Sequence, residues 1–266
     1  MIRMQPVFFV VLLLLLVNSC IPGKRPLNKV WFYTYKDDLS AADSRAGEGE
    51  SNRHLIKLNL SPAHFLNLQP DGKYSMDFGE FEYGTWTVSK NVLTLTANEG
   101  KSKTIAFRLQ KTELLVQVPG KNGVTALWHF DGWPLGKDEN PFSLENNWWR
   151  VNATHKETEA EIVKRLQNHF RYLEKYLNWR LQLKRNSLDV RSLPGPLKMY
   201  GNGFQLLPYS EWPEEWRSNF YDNEDCSIAY DKLRYFFDHD NINWGNTDNR
   251  FKMFIGAFQQ LQQKVQ

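Results

Sequence analysis

The chain has 266 residues, with 33 basic against 30 acidic, 41% hydrophobic and 14% aromatic residues, ten of them Trp. That near balance of charge excludes the concentrated basic excess of a nucleic-acid footprint, and the length allows one large or two small domains with real cores.

In chain order, Met1 to Cys20 opens with a positive charge at Arg3, continues as an unbroken apolar run from Val7 to Val17, and closes on Val17-Asn18-Ser19-Cys20. The eleven apolar residues make a helix of about 16 Å, short of a ~30 Å hydrocarbon core, so the run reads as a signal-peptide core rather than a spanning helix. The segment resembles a bacterial lipobox, with Val17 at its aliphatic position, Ser19 at its small one, and Asn18 where that family prefers Ala, Ser or Thr. The resemblance implies a cleaved signal over residues 1–19, a diacylglyceryl group on Cys20, and a membrane as partner. Ile21, where an Asp would resemble an inner-membrane retention signal, favours the outer membrane of a bacterial envelope, and Lys24 and Arg25, in place of an acidic run, favour its periplasmic side over surface export. A lipidated Cys20 leaves Cys226 as the other cysteine, which excludes an intrachain disulfide.

Residues 20–28 read as a tether, with Pro22, Gly23 and Pro26, and Asp37 to Asn52 as an acidic loop without an apolar period. From about Leu55 to Phe130 the period is two: Leu58 and Leu60; Leu93 and Leu95; Ile105, Phe107 and Leu109; Leu114, Val116 and Val118. Pro70-Asp71-Gly72, Ser89-Lys90-Asn91 and Pro119 to Gly123 separate these runs as turns. Residues 29–133 are therefore expected to form an antiparallel meander, closed as a small barrel or folded as a sandwich. The run Phe65 to Tyr74, then Gly84-Thr85-Trp86-Thr87-Val88, then Val92-Leu93-Thr94-Leu95, resembles the lipocalin-like domains of envelope lipoproteins from Bacteroidota. That resemblance covers roughly residues 27 to 131 and implies a small barrel able to hold an apolar ligand. Lipocalins place Gly two residues before the first-strand Trp, where Lys29 precedes Trp31 here.

Residues 134–266 carry helical patterns, so the fold class is α+β with a helical region of about three helices after the barrel. Thr154 to Glu157 and Thr158 to Glu161 each form a capping box, and a helix starts at one of them. Ile162, Leu166, Phe170, Leu173, Leu177 and Leu181 make its apolar stripe, with Lys164, Arg165, Arg171, Lys175 and Arg180 on the other face. Pro194-Gly195-Pro196 and Gly201-Asn202-Gly203 break the chain, a second helix starts near Asp222, and a third follows Thr247.

No catalytic motif stands out. Asp238 to Asn243 departs from an EF-hand at Ile242 and Asn243, and Asp222, Glu224 and Asp225 suit the first turn of a helix. Glu214, Glu215 and Glu224 near Trp212 and Trp216 are a conceivable hydrolase set, but Pro213-Glu214-Glu215-Trp216 reads as a helix start with Pro first. Cys226 reads as a buried small hydrophobe, and of the adjacent Trp148 and Trp149 only one enters a core easily. The expected function is a non-enzymatic, cofactor-free binding module for a lipid or other small apolar ligand, lined by Leu93, Leu95, Phe107 and Trp128, with no metal. The alternative is an envelope interaction or assembly protein that holds a protein or glycan partner through exposed aromatics of the helical region.

Overall fold

A computed structural model describes residues 25–38, 64–110, 112–119, 125–136, 138–182, 195–200, 203–239 and 250–266. The lipobox with Cys20, the loop from residue 39 to 52, the Leu58–Leu60 alternation and residues 240–243 lie outside the described residues.

Eight antiparallel strands follow one another around a closed barrel: β1 Val30–Asp38, β2 Phe65–Leu68, β3 Lys73–Asp77, β4 Phe81–Ser89, β5 Val92–Ala97, β6 Ser102–Gln110, β7 Glu113–Pro119 and β8 Thr125–Trp133. Of the barrel and the sandwich it is the barrel, lipocalin-like in its sequential order, because β1 pairs with β8 from Val30↔Trp133 to Asp38↔Ala126. Closure satisfies the ladder groups that two sheet edges would leave open. Turn chemistry sets the register. Gly72 takes φ +85°, its amide donates to Gln69 O at 3.1 Å, and Asp71 Oδ1 accepts from the Lys73 amide at 3.1 Å.

Alternation puts Trp31, Leu66, Leu68, Tyr74, Met76, Trp86, Leu93, Leu95, Leu114, Val116 and Phe130 in the barrel core. The outer face divides in two. Thr104, Ala106 and Arg108 on β6 are exposed, whereas Val30, Phe32 and Phe65 are buried against the helical region.

That region holds three longer helices and two short ones among the described residues: α1 Leu144–Asn147, α2 Glu159–Gln182, α3 Glu214–Arg217, α4 Asn223–His239 and α5 Arg250–Lys264. The second capping box starts α2: Thr158 Oγ1 accepts from the Glu161 amide at 3.3 Å, and Glu161 Oε2 accepts from the Thr158 amide at 2.8 Å. Three details differ from the sequence reading. A β-hairpin, β9 Leu197–Tyr200 with β10 Gly203–Leu206, occupies a stretch read as a chain break. Pro213 sits at the N-cap of α3 rather than at its first position. Arg165 and Arg180, placed on the polar face of α2, are buried.

Two kinds of contact join barrel and helices. Phe32 stacks on Trp179 (centroids 5.2 Å) and meets Phe142 edge-on (5.0 Å), while Phe65 lies 4.8 Å from Phe142. Beside them Asn67 Nδ2 donates to Phe142 O (3.1 Å) and Asn140 Nδ2 donates to Asn67 Oδ1 (3.0 Å). Asn67, the outward polar residue of β2, is thus paired where it is buried. Arg150 completes the joint with a 2.6 Å bond from Nη1 to Asp77 Oδ2.

Candidate functional site

The two ends of the barrel are built differently. At one end a 3-10 turn, Arg25–Leu27, inserts the buried Leu27, and Trp31 Nε1 donates to Leu27 O at 2.9 Å. The tether expected to reach Asn28 thus has its last residues packed into the barrel. Trp86 fills the same end, with Nε1 donating to Gln69 O at 2.9 Å. Trp31 has room because β8 carries Gly132: a Cβ there would lie 2.6 Å from the Trp31 ring. This end is plugged.

The opposite end carries aromatic rings. Along β1 the next inward residue after Trp31 is Tyr33, whose centroid is 5.2 Å from Trp128 and 5.8 Å from Phe130. Phe78, two residues beyond Met76, lies 5.8 Å from Phe130 and 6.2 Å from Trp128, and His64 lies 6.3 Å from Phe78. Tyr33, Phe78 and Trp128 pack on the barrel core yet stay half-buried. Ile105 and Phe107 lie toward the plugged end, the Phe107 amide donating to Asn91 O in the β4–β5 turn at 2.9 Å. The three rings Tyr33, Phe78 and Trp128 stand apart from them and outline a shallow aromatic cup over a filled floor. Burial raises the Tyr33 hydroxyl above its ordinary pKa, so this phenol stays neutral through the physiological range.

One charged group borders the cup. Lys103 Nζ lies 2.9 Å from both oxygens of Glu82, and the Tyr74 hydroxyl donates to Glu82 Oε1. Burial, then the Glu82 hydrogen bond and charge, push the Tyr74 hydroxyl well above the usual tyrosine range. These three groups satisfy one another, and the Glu82 and Lys103 charges offset each other.

The four residues expected to line a ligand site are divided between these layers. Leu93 and Leu95 are buried in the packed floor and Trp128 keeps accessible surface at the cup, whereas Phe107 is half-buried toward the plugged end, so the structure does not bring the four together. Sequence reasoning missed Tyr33, Phe78, Glu82 and Lys103. The first two were findable by extending the period of two past Trp31 and Met76, whereas the Glu82–Lys103 pair depends on which strands become neighbours.

In the helical region the other candidates are occupied by structural roles. Trp149 is buried, 4.6 Å from His169 and 5.3 Å from Trp216, while Arg165 covers the Trp148 ring at 4.9 Å. Trp212 and Trp216 are core residues, Glu214 pairs with Arg217 at 2.7 Å, and Glu224 pairs with Lys156. Asp222 Oδ1 accepts from the amides of Glu224 and Asp225 (2.9 and 3.0 Å), which caps α4. Asp238 pairs with Arg234 at 3.3 Å. Cys226 is buried in α4, and burial lifts its thiol pKa to about 11. Among the described residues no His, Cys, Asp and Glu group could hold a metal ion, and no helix is long and apolar enough to cross a membrane.

No family model matches this chain, and comparison with curated proteins and with solved structures found no similar protein.

Proposed function

We propose that this chain is a bacterial envelope lipoprotein, anchored through a diacylglyceryl group on Cys20 to the periplasmic face of the outer membrane. In that reading its barrel is a non-enzymatic binding module for a lipid or other small apolar ligand. The observation that carries the binding role is the half-buried rim of Tyr33, Phe78 and Trp128 above a packed floor. Apolar surface of this kind contributes about 25 cal/mol per Å² once covered, and aromatic rings add geometric selectivity. Because Leu93 and Leu95 are already packed, the ligand occupies the cup rather than a deep channel. The Cys20 anchor is supported by the apolar Val7–Val17 run and the lipobox-like Val17-Asn18-Ser19-Cys20.

Two measurements test this. The chain with Cys20→Ser, purified without detergent, is analysed by native mass spectrometry and titrated with N-phenyl-1-naphthylamine, a neutral apolar fluorophore. An apolar adduct, and fluorophore binding weakened by Phe78→Ala and Trp128→Ala, support the module; a bare mass with no fluorophore binding overturns it. Incorporation of labelled palmitate that disappears with Cys20→Ser tests the anchor separately.

The second reading, an interaction protein of the envelope, draws on Tyr221 (53% exposed) and Tyr235 (65% exposed), the latter stacked on His239 at 4.3 Å. Crosslinking in whole cells from these two positions to one reproducible protein would favour it.

A further inference from the structure

A second concavity lies outside the barrel, independent of the cup. It has a volume of about 440 Å³, within the range of small-molecule pockets, and is walled by the segment after β8, by α2 and by the end of α5. Its floor is Trp179, a buried ring clamped between Phe32 and Phe142 at 5.2 Å each, so the bottom of the cleft is rigid.

The two long walls carry opposite charges that do not pair with each other. On one wall Asp138 and Glu139 are adjacent carboxylates. On the other, Arg171 and Lys175 stand four residues apart on α2, a like-charge spacing that disfavours a helix unless something compensates it. Among the described residues none of these four is ion-paired. Lys175 Nζ donates to the main-chain carbonyl of Asp138, and Arg171 Nε donates to Gln262 Oε1 at 3.4 Å. Glu174 lines the same wall between them and accepts from the Gln259 and Gln262 amides at 2.7 and 3.1 Å, which does not neutralise its charge, so this wall carries two cations against one carboxylate and stays net positive. Farther along the same stripe of α2, Asn178 and Gln182 add amides that both donate and accept.

We propose that this cleft binds a small zwitterion of dipeptide size with free termini. The ligand carboxylate sits between Arg171 and Lys175, its ammonium faces Asp138 and Glu139, and its peptide group lies toward Asn178. Such a ligand relieves the like-charge repulsion on both walls at once, which neither a neutral sugar nor a simple anion does.

The test is titration of the isotope-labelled full chain with dialanine, N-acetyl-dialanine and dialanine amide, followed by amide chemical shifts. The expected result is saturable binding of dialanine that moves residues 138–139 and 171–182, weakened on the order of tenfold or more by blocking either end. Arg171→Gln is expected to abolish discrimination against the C-terminal amide, and Asp138→Asn to reduce discrimination against the N-acetyl form. All three probes binding alike, or dialanine giving no saturable shift at the cleft, overturns the proposal. Neither result bears on the aromatic cup, whose fluorophore assay reads a different surface.

Discussion

Replacing Glu157 by Gln probes the ion pair at the heart of the helical region. Arg165 and Glu157 are 2% and 7% exposed as side-chain partners go (2% and 4% for the side chains alone), and Nε and Nη2 of the arginine donate to the two carboxylate oxygens at 2.9 and 2.8 Å. Nη1 donates to Trp149 O and Val151 O at 3.0 and 2.7 Å, and the guanidinium lies over Trp148. Gln preserves shape and one acceptor but removes the charge that compensates a buried guanidinium. Breaking such a pair from one side costs about 3–5 kcal/mol, and the retained acceptor places this case near the lower end. At about 2–4 °C per kcal/mol for a chain of this size, the melting temperature falls by roughly 6–12 °C. The paired replacement Glu157→Leu with Arg165→Met removes both charges; it leaves the Trp149 and Val151 carbonyls short of a donor, for about 1–3 kcal/mol. Thermal and urea unfolding by circular dichroism of the three chains gives the comparison. A loss below about 1 kcal/mol for Glu157→Gln, or a double variant less stable than the single one, would refute the charge-compensation argument.

Two other expectations follow from the packing. Gly132→Ala places a methyl 2.6 Å from the buried Trp31 ring, so the variant should lose about 1–3 kcal/mol in urea unfolding; unchanged stability would mean that the plugged end yields easily. Tyr172 and Tyr176 of α2 are buried, and burial pushes the Tyr176 hydroxyl up to about 12 and the Tyr172 hydroxyl up as well. Both keep their protons when folded over a range in which the unfolded chain, with ordinary tyrosine values near 10, has lost them. Stability is therefore complete below pH 10 and declines as pH rises toward 12, which urea midpoints across that range and tyrosinate absorbance will show; a constant midpoint would contradict the burial.

What could be read from the sequence was local. Pro70-Asp71-Gly72 sets a turn by its own backbone preferences, and the stripe from Ile162 to Leu177 declares a buried helix face without reference to the rest of the chain. Barrel closure was harder, because it depends on β1 meeting β8 about a hundred residues away, as in the bond from Thr34 Oγ1 to His129 O at 2.9 Å. A hint was present in Val30-Trp31-Phe32, an apolar run with no alternation, which is what a strand covered on both faces requires. Arg165 misled for a different reason. Its position on the helix says nothing about a carboxylate eight residues earlier that folds back over it. The cup was legible only through Trp128, because alternation tells which face a residue takes but neither how far a floor is filled nor, as for Phe107, which end of the barrel it reaches.

If Cys20 carries the proposed anchor, the position of the plug orients the molecule. Residue 25 begins the 3-10 turn, so the proposed acyl group on Cys20 would be separated from the plugged end by only four residues, at most about 18 Å of extended chain. The nine-residue strands, tilted as barrels require, hold the aromatic end about 23 Å farther out. On the proposed anchor, a ligand drawn from the anchoring membrane would have to leave the bilayer and cross water before it met the rings. The orientation suits a receiver of cargo handed over from the aqueous side better than an extractor of lipids from its own leaflet.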